Sequence, residues 1–172
     1  MHAQSSRGFT LIELLMVVAV IAIISAIAVP GLLRSRIAGN EAAAIGSLKT
    51  LIAAQQDYSA FHHAYATDLA HLSVPCPGSP VPFLSADLDA NGVLKSGYFF
   101  EIGAGDEAVA GPTDCNENET QTTYYASSVP DTAFNGRRAF ATNSMSAIWQ
   151  NVNGEAPAEP FTRSDTVSPL GH

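Results

Sequence analysis

One acidic side chain, Glu13, stands at the start of an almost wholly apolar N-terminal stretch, where its carboxylate could do chemistry. A carboxylate at helix-centre depth in a bilayer costs about 2.5 to 3.5 kcal/mol on insertion scales. Such an acid is a functional candidate and needs a partner. The alternative is an acid at the headgroup boundary, stabilised by the dipole of the helix. No lysine or arginine lies between Glu13 and Leu33, so a cationic partner has to come from elsewhere.

The residues around Glu13 form a specific pattern. A short hydrophilic leader ends in Gly8, an aromatic residue follows at Phe9, and Thr10-Leu11-Ile12-Glu13 then opens the apolar run. This pattern closely resembles the type IV pilin family, which includes the pseudopilins of type II secretion. The resemblance implies that a membrane-embedded prepilin peptidase cuts between Gly8 and Phe9 on the cytoplasmic side. It also implies that this enzyme methylates the new amino group of Phe9.

Cleavage there would create the cation that Glu13 lacks. Before cleavage the nitrogen of Phe9 is a neutral amide, and afterwards it is an ammonium whose charge survives methylation. The resemblance implies that Glu13 of an incoming subunit pairs with Phe9 of a subunit already in the filament. Because an unpaired buried ion is costly and a matched pair is tolerated, this contact would select the axial register more than it adds stability.

The apolar run is long enough to span a bilayer. Of the 20 positions from Leu14 to Leu33, 17 are Ala, Val, Ile, Leu or Met, and about 20 apolar residues suffice for a span. The rival interpretation is a secretory signal with Arg7 as its weak positive region, cut after Ala28 to release a soluble binding protein or enzyme. That interpretation leaves Glu13 unexplained, and the run is longer than the roughly 7 to 15 apolar residues of a signal.

Residues 9 to about 61 are predicted to form one long helix. Pro30 removes a backbone donor and clashes with the preceding turn, so a helix break is expected there as a kink or local melting. Type IV pilins commonly carry a proline at this depth, and the resemblance extends to Pro30. The small side chains of Ala19, Ala22 and Ala26 would let helices pack closely, although ordinary alanine content explains them equally well.

The second half of this helix is predicted to be amphipathic and to need a partner surface. A short helix over 68–72, capped by Thr67, is predicted to follow it. The apolar stripe comprises Ile37, Ile45, Leu48, Ile52, Tyr58, Phe61 or His62, and Tyr65.

The fold class predicted is α+β, with the long helix packed on a small antiparallel sheet of about four strands, as in pilins. The strands are expected at 97–102, 122–127, 138–142 and 147–151. The segment after Asn153 is rich in proline, serine and acid, which predicts a tail. The expected regions are a leader 1–8, a membrane and filament-core helix 9–33, a globular pilin domain 34–153 and a C-terminal tail 154–172.

Cys76 and Cys115 fall in the part that would lie outside the cytoplasm, where a cysteine pair favours a disulfide. Closing a loop of about 40 residues would stabilise the domain by about 4 kcal/mol in the chain-entropy model. Free buried thiols are the alternative. Many pilins place a disulfide near the C-terminus, but more than 50 residues follow Cys115, so that feature does not transfer to this chain.

No cofactor and no metal site is expected. Asp87, Asp89 and Asn91 copy the first half of a calcium loop, but Tyr98 occupies the twelfth position, where a glutamate is required. A tight turn at Asn91-Gly92 explains the same residues.

Histidines offer a second possible metal site. Three histidines could surround a metal together with Asp68, but solvated side chains at a polar helix end are the usual outcome. They are His62, His63 and His71.

Charge and motifs argue against two classes of function. The chain holds 16 acidic side chains against 8 lysines and arginines, for a net charge of -8. Binding nucleic acid through bulk charge needs a basic face, so it is not expected. The chain contains neither a Gly-x-Ser-x-Gly motif nor a phosphate loop, and an enzyme is not expected either.

The resemblance implies a structural subunit of a type IV pilus-like filament, with a type II secretion pseudopilin as the alternative. Its implied partners are further copies of the chain, the prepilin peptidase, an inner-membrane assembly platform and a cytoplasmic ATPase motor. The precursor would be a single-pass inner-membrane protein with a cytoplasmic N-terminus. After assembly the chain would lie in a pilus at the cell surface.

Overall fold

The computed structural model describes residues 8–171 and divides the chain into two units, Met1–Arg36 and Ile37–His172. Residues 1–7, which form most of the predicted leader and include Arg7, lie outside the described residues.

Helix α1, Leu11–His62, starts in the first unit, where its side chains are apolar and exposed. From Gly8 to Arg36 every described residue is exposed, and Leu11 and Ile27 are each 77% exposed. Among the described residues, α1 is the one helix that is long and apolar enough to cross a membrane. An exposed apolar surface of this size is typical of a segment that meets a membrane or another protein.

Helix α1 continues through Pro30 without a gap, so local melting is not observed there in the single chain, and a kink at Pro30 stays a prediction. Proline deletes one backbone donor, and a helix can carry a proline when the neighbouring turns keep their own hydrogen bonds. Loss of helix near Pro30 inside a filament stays a prediction.

The second unit is a six-stranded antiparallel sheet, a two-stranded sheet and the C-terminal part of α1. The elements are β1 Tyr65–Ala66, α2 Leu69–Ser73, β2 Val93–Lys95, β3 Tyr98–Ala104, β4 Thr120–Gln121, β5 Tyr124–Pro130, β6 Ala139–Asn143, β7 Trp149–Asn151 and β8 Val167–Pro169. The six strands of the larger sheet follow the order β2-β3-β5-β6-β7-β8, and β1 pairs with β4 in the smaller one. Helix α2 follows β1, and a short 3-10 helix, Ala86–Leu88, precedes β2.

The core lies between the apolar stripe of α1 and the sheet. Strand β3 alternates buried and exposed residues, as expected for a sheet with one buried face. Phe61 and His62 were the two alternatives for one position of the predicted stripe. His62 is half-buried, whereas Phe61 is 75% exposed. The largest fully buried side chains include Leu48, Leu51 and Tyr58 from α1 and Tyr98, Phe100, Tyr124 and Phe140 from the sheet.

The predicted fold class is confirmed, with more strands than predicted. The four predicted strands correspond to β3, β5, β6 and β7, and the strands that were not predicted, β1, β2, β4 and β8, span only two or three residues each.

The segment predicted as a tail instead belongs to the sheet, because it supplies β8. Its aromatic residue Phe161 stacks on Trp149 at 5.4 Å between ring centroids. The Tyr125 hydroxyl also donates to the carbonyl of Pro157 at 2.8 Å. Composition predicted a solvated tail, but these contacts pin the segment to the domain.

The cap of the short helix also differs from the prediction. Helix α2 begins one residue later than predicted, and its N-cap is Asp68 rather than Thr67. The Asp68 carboxylate accepts a hydrogen bond from the backbone N–H of Ala70 at 2.8 Å. Aspartate serves as an N-cap at least as well as threonine, so the two adjacent residues could not be distinguished by type.

Candidate functional site

The Gly8–Phe9 junction lies before the helix and is exposed. Residues 8–10 have no regular secondary structure, and Phe9 is 83% exposed. Within residues 8–171, a Cβ placed on Gly8 would meet no atom within 4 Å. Packing among these residues therefore does not require glycine at this position.

Glu13 is held by a capping box at the start of α1. Its Oε2 accepts from the backbone N–H of Thr10 at 3.0 Å and from the Thr10 hydroxyl at 2.7 Å. In return the backbone N–H of Glu13 donates to Thr10 Oγ1 at 3.3 Å. The Thr-x-x-Glu spacing is the sequence signature of this motif. Thr10 is not among the predicted assembly residues, although that spacing identifies it.

The capping box fixes the carboxylate at the start of α1, beside the backbone nitrogen of Thr10, the residue after Phe9. The backbone N–H and the hydroxyl of Thr10 both donate to the same oxygen, Oε2. Within the described part of the chain, Oε1 forms no hydrogen bond. The predicted pairing of Glu13 with a Phe9 ammonium involves a second, processed chain and stays a prediction.

In the second unit, Glu41 on α1 binds the end of the β5–β6 connection. The guanidinium of Arg138 donates to Glu41 Oε2 through Nε at 2.9 Å and through Nη2 at 2.6 Å. The backbone N–H groups of Arg137 and Arg138 donate to Oε1 at 3.1 and 3.2 Å. Burial alone would raise the pKa of Glu41, but these donors outweigh it and hold the pKa below its ordinary value.

The same connection packs tightly on Tyr98. The Tyr98 hydroxyl donates to the carbonyl of Arg138 at 2.8 Å, and a Cβ on Gly136 would overlap this hydroxyl. We expect Gly136→Ala to destabilise the domain by about 1 to 3 kcal/mol, because a buried ring would have to move. Denaturant unfolding of the full chain in detergent measures the loss.

The matched control is Gly103→Ala on β3, where an added Cβ meets no atom within 4 Å. We expect this variant to unfold within about 0.5 kcal/mol of the parent chain. Equal stability of the two variants would contradict the steric explanation.

The predicted disulfide joins Cys76 to Cys115, with their Cα atoms 5.5 Å apart. Neither cysteine is free, so the alternative of free thiols is wrong for this structure.

The residue before Cys115 anchors this loop independently of the disulfide. The buried Asp114 carboxylate accepts from the Tyr58 hydroxyl at 2.7 Å and from the backbone N–H groups of Asn116 and Asn118 at 2.8 Å each. The Asn118 side chain donates to the same carboxylate at 3.0 Å. Burial would raise the pKa of Asp114, but Asn118, Tyr58 and the backbone donors lower it below its ordinary value.

Two of the three calcium-loop residues, Asp87 and Asn91, make other contacts through their side chains. Asp87 forms an ion pair with Lys95 at 2.6 Å. Both polar atoms of the Asn91 side chain bond to the backbone of Ile102, at 2.8 and 3.0 Å. These contacts support the turn interpretation of the segment.

The histidines are not gathered as one set. Over residues 8–171, the one group of three potential metal ligands consists of His62, Cys76 and Cys115, whose ligand atoms lie within 4.8 Å of one another. His63, His71 and Asp68 are not part of that group. An open cleft of about 970 Å³ borders the three residues.

Comparison with known proteins agrees with the N-terminal pattern. Residues 4–29 match the prokaryotic N-terminal methylation motif. The chain is 36% identical over 69 residues to the type IV wide pilus major component PilA4 of Thermus thermophilus, covering 40% of this chain and 53% of that protein. It is 43% identical over 53 residues to the type IV major pilin protein PilA of Myxococcus xanthus, covering 31% of this chain and 24% of that protein. No solved structure matches the chain significantly.

These matches confirm the resemblance to type IV pilins. The alignments cover about half of one relative and a quarter of the other. The methylation motif and the exposed apolar helix fit a membrane-anchored precursor and a pilus at the cell surface.

Proposed function

We propose that this chain, which carries the N-terminal methylation motif and resembles type IV pilins, is a structural subunit of a type IV pilus-like filament. The observation that carries the proposal is the joint presence of the Gly8–Phe9 junction, the capped Glu13 and an exposed apolar helix behind them. Each of these features has a role in one cycle of insertion, cleavage and polymerisation.

Processing is the first step of the proposal. A prepilin peptidase hydrolyses the bond between Gly8 and Phe9 and methylates the new amino group of Phe9. The exposed, non-helical junction supports this step, because a protease needs an extended and accessible backbone. The lack of any packing need for glycine at position 8 supports a requirement that comes from the peptidase.

Membrane insertion precedes assembly in the proposal. The precursor crosses the inner membrane once through the apolar part of α1, with its N-terminus in the cytoplasm. Charge alone does not give this orientation, because Arg34 and Arg36 flank the far end of the span. The orientation follows from the cytoplasmic side on which the peptidase cuts.

Assembly places Glu13 of one subunit against the Phe9 ammonium of another. The capping box supports this step because it fixes the carboxylate at the helix start and leaves Oε1 without a partner within residues 8–171. Leaving lipid for a protein bundle gains little hydrophobic energy, so polymerisation is expected to need a motor. We assign that role to a cytoplasmic ATPase acting through an inner-membrane platform.

The proposal is tested on the chain recovered from its cells. We expect intact mass and N-terminal sequencing to show a chain that begins with methylated Phe9, and imaging to show surface fibres that disappear when the gene is deleted. A chain beginning at Val29 would contradict the proposal and favour a soluble secreted protein. Loss of protein secretion with no change in surface fibres would favour a pseudopilin.

A further inference from the structure

The disulfide has an imidazole beside it. His62, in the last turn of α1, places Nε2 3.7 Å from the Sγ of Cys76. The sulfur atoms of Cys76 and Cys115 and a nitrogen of His62 all lie within 4.8 Å of one another. Three elements distant in sequence therefore bring two sulfurs and one nitrogen to the edge of the open cleft.

The orientation of His62 presents a lone pair to the sulfur. Its Nδ1 lies 3.1 Å from the backbone carbonyl of Tyr58. A carbonyl can only accept, so this contact places a proton on Nδ1, and in the neutral imidazole Nε2 then carries the free lone pair. Histidines that bind metals commonly donate their other ring N–H in this way, which fixes the tautomer and the ring orientation. The imidazole packs against the rings of Tyr58 and Phe83, whose centroids lie 4.3 and 5.9 Å from its own, and these rings hold it in place.

We propose that reduction of the disulfide converts His62, Cys76 and Cys115 into a binding site for a thiophilic divalent cation of the zinc type. A dithiol supplies two electrons and two protons: the Cys76–Cys115 bond breaks, two thiols form, and the dithiol leaves as its own disulfide. The cation then binds two thiolates and the imidazole, with release of the two thiol protons.

The spacing suits this chemistry. Zinc binds sulfur at about 2.3 Å and imidazole nitrogen at about 2.0 to 2.1 Å, so tetrahedral ligands of these types stand about 3.5 Å apart. The observed separation of Cys76 Sγ from His62 Nε2 is 3.7 Å. The two sulfurs have to separate, and the Cys115 sulfur starts within 4.8 Å of the imidazole nitrogen. Because the cleft borders all three residues, water is the expected fourth ligand.

Asp114 keeps the second cysteine near the helix after reduction. Its carboxylate binds the Tyr58 hydroxyl of α1 and two backbone N–H groups of its own loop without any help from the disulfide. The Asn116 side chain also donates to the carbonyl of Pro75 at 3.5 Å, which connects the segments that carry the two cysteines. These contacts limit how far the thiols move apart.

The test is a cobalt titration of the full chain in detergent, reduced with a phosphine under anaerobic conditions. Cobalt reports its ligands through thiolate-to-metal charge-transfer absorption. We expect one equivalent to bind the reduced chain with the signal of two thiolates, and no such signal from the oxidised chain. His62→Gln should weaken binding by at least about tenfold.

The matched control is His63→Asn, which alters the adjacent histidine at the same cleft. His63 has a φ of 58°, a backbone conformation that asparagine tolerates. We expect this variant to bind cobalt like the parent chain.

Two results would overturn the site: no stoichiometric binding by the reduced chain, or equal affinity in the His62→Gln variant. The second result would also expose binding by an unfolded chain, since thiols in such a chain have no preference for His62. Fibre formation is not read in this titration, so either outcome is independent of the proposed filament function.

Discussion

Replacing Glu13 by valine is expected to leave insertion and cleavage intact and to abolish most filament assembly. When a valine subunit joins the filament, the Phe9 ammonium of the neighbouring chain would be left unpaired in an apolar bundle. Breaking a buried ion pair on one side costs about 3 to 5 kcal/mol. Each 1.4 kcal/mol is about a factor of ten, so the equilibrium for adding a subunit should fall at least about a hundredfold. Fibre yield by shearing, together with intact mass, measures both properties.

Glu13→Gln distinguishes the charge from the helix cap. Its amide oxygen can still accept from Thr10, so the capping box persists while the negative charge is lost. We expect this variant to fail in assembly as the valine variant does. Thr10→Val removes the hydroxyl and keeps the charge, and we expect it to cost only about 1 kcal/mol of helix stability. Fibres at the normal yield from Glu13→Gln would refute the pairing.

The second large effect is expected for Glu41→Ala, which should destabilise the globular unit by about 2 to 4 kcal/mol. It leaves the Arg138 guanidinium and two backbone N–H groups without their acceptor. We expect a smaller loss of stability than for a fully buried ion pair, because the Arg138 side chain is 36% exposed, against 9% for Glu41. Denaturant unfolding of the detergent-solubilised full chain provides the measurement.

Asp87→Ala is the matched control, because its ion pair with Lys95 has the same 2.6 Å length as the pair of Glu41 with Arg138. The Asp87 and Lys95 side chains are 54% and 31% exposed. An exposed pair contributes roughly 0 to 1 kcal/mol. Similar losses from Asp87→Ala and Glu41→Ala would contradict the role of burial.

The contribution of Glu41 should also depend on pH. Because the folded state lowers the pKa of Glu41 below its ordinary value of 4.5, its stabilisation is fully present above that value. It is lost as the pH falls through the lower pKa of the folded state. The stability difference between the parent chain and Glu41→Gln should therefore shrink in that acid range. A constant difference from neutral pH to acid would exclude ionisation as its source.

The features that could be predicted from the sequence are those encoded locally. The pattern from Gly8 to Glu13 is six residues long, and the long helix follows from its apolar periodicity. The disulfide could be predicted because the chain has two cysteines and both are expected in the same oxidising compartment.

Contacts between distant residues could not be predicted in this way. Glu41 and Arg138 are 97 positions apart, and nothing near either one indicates the other. The His62 imidazole meets Cys76 only because α2 and its loop return to the end of α1. Strand β8 lies in a segment whose composition predicted a tail, and its position depends on pairing with β7.

The two outer strands of the six-stranded sheet, β2 and β8, are only three residues long. One carries Lys95 and the other ends in Pro169, a charge and an imino acid that both discourage a foreign strand from docking. In the proposed filament, copies would stand side by side at very high local concentration. Edge strands blunted in this way would discourage neighbouring sheets from pairing into amyloid-like ribbons, which would leave the order of the polymer to the helical stems.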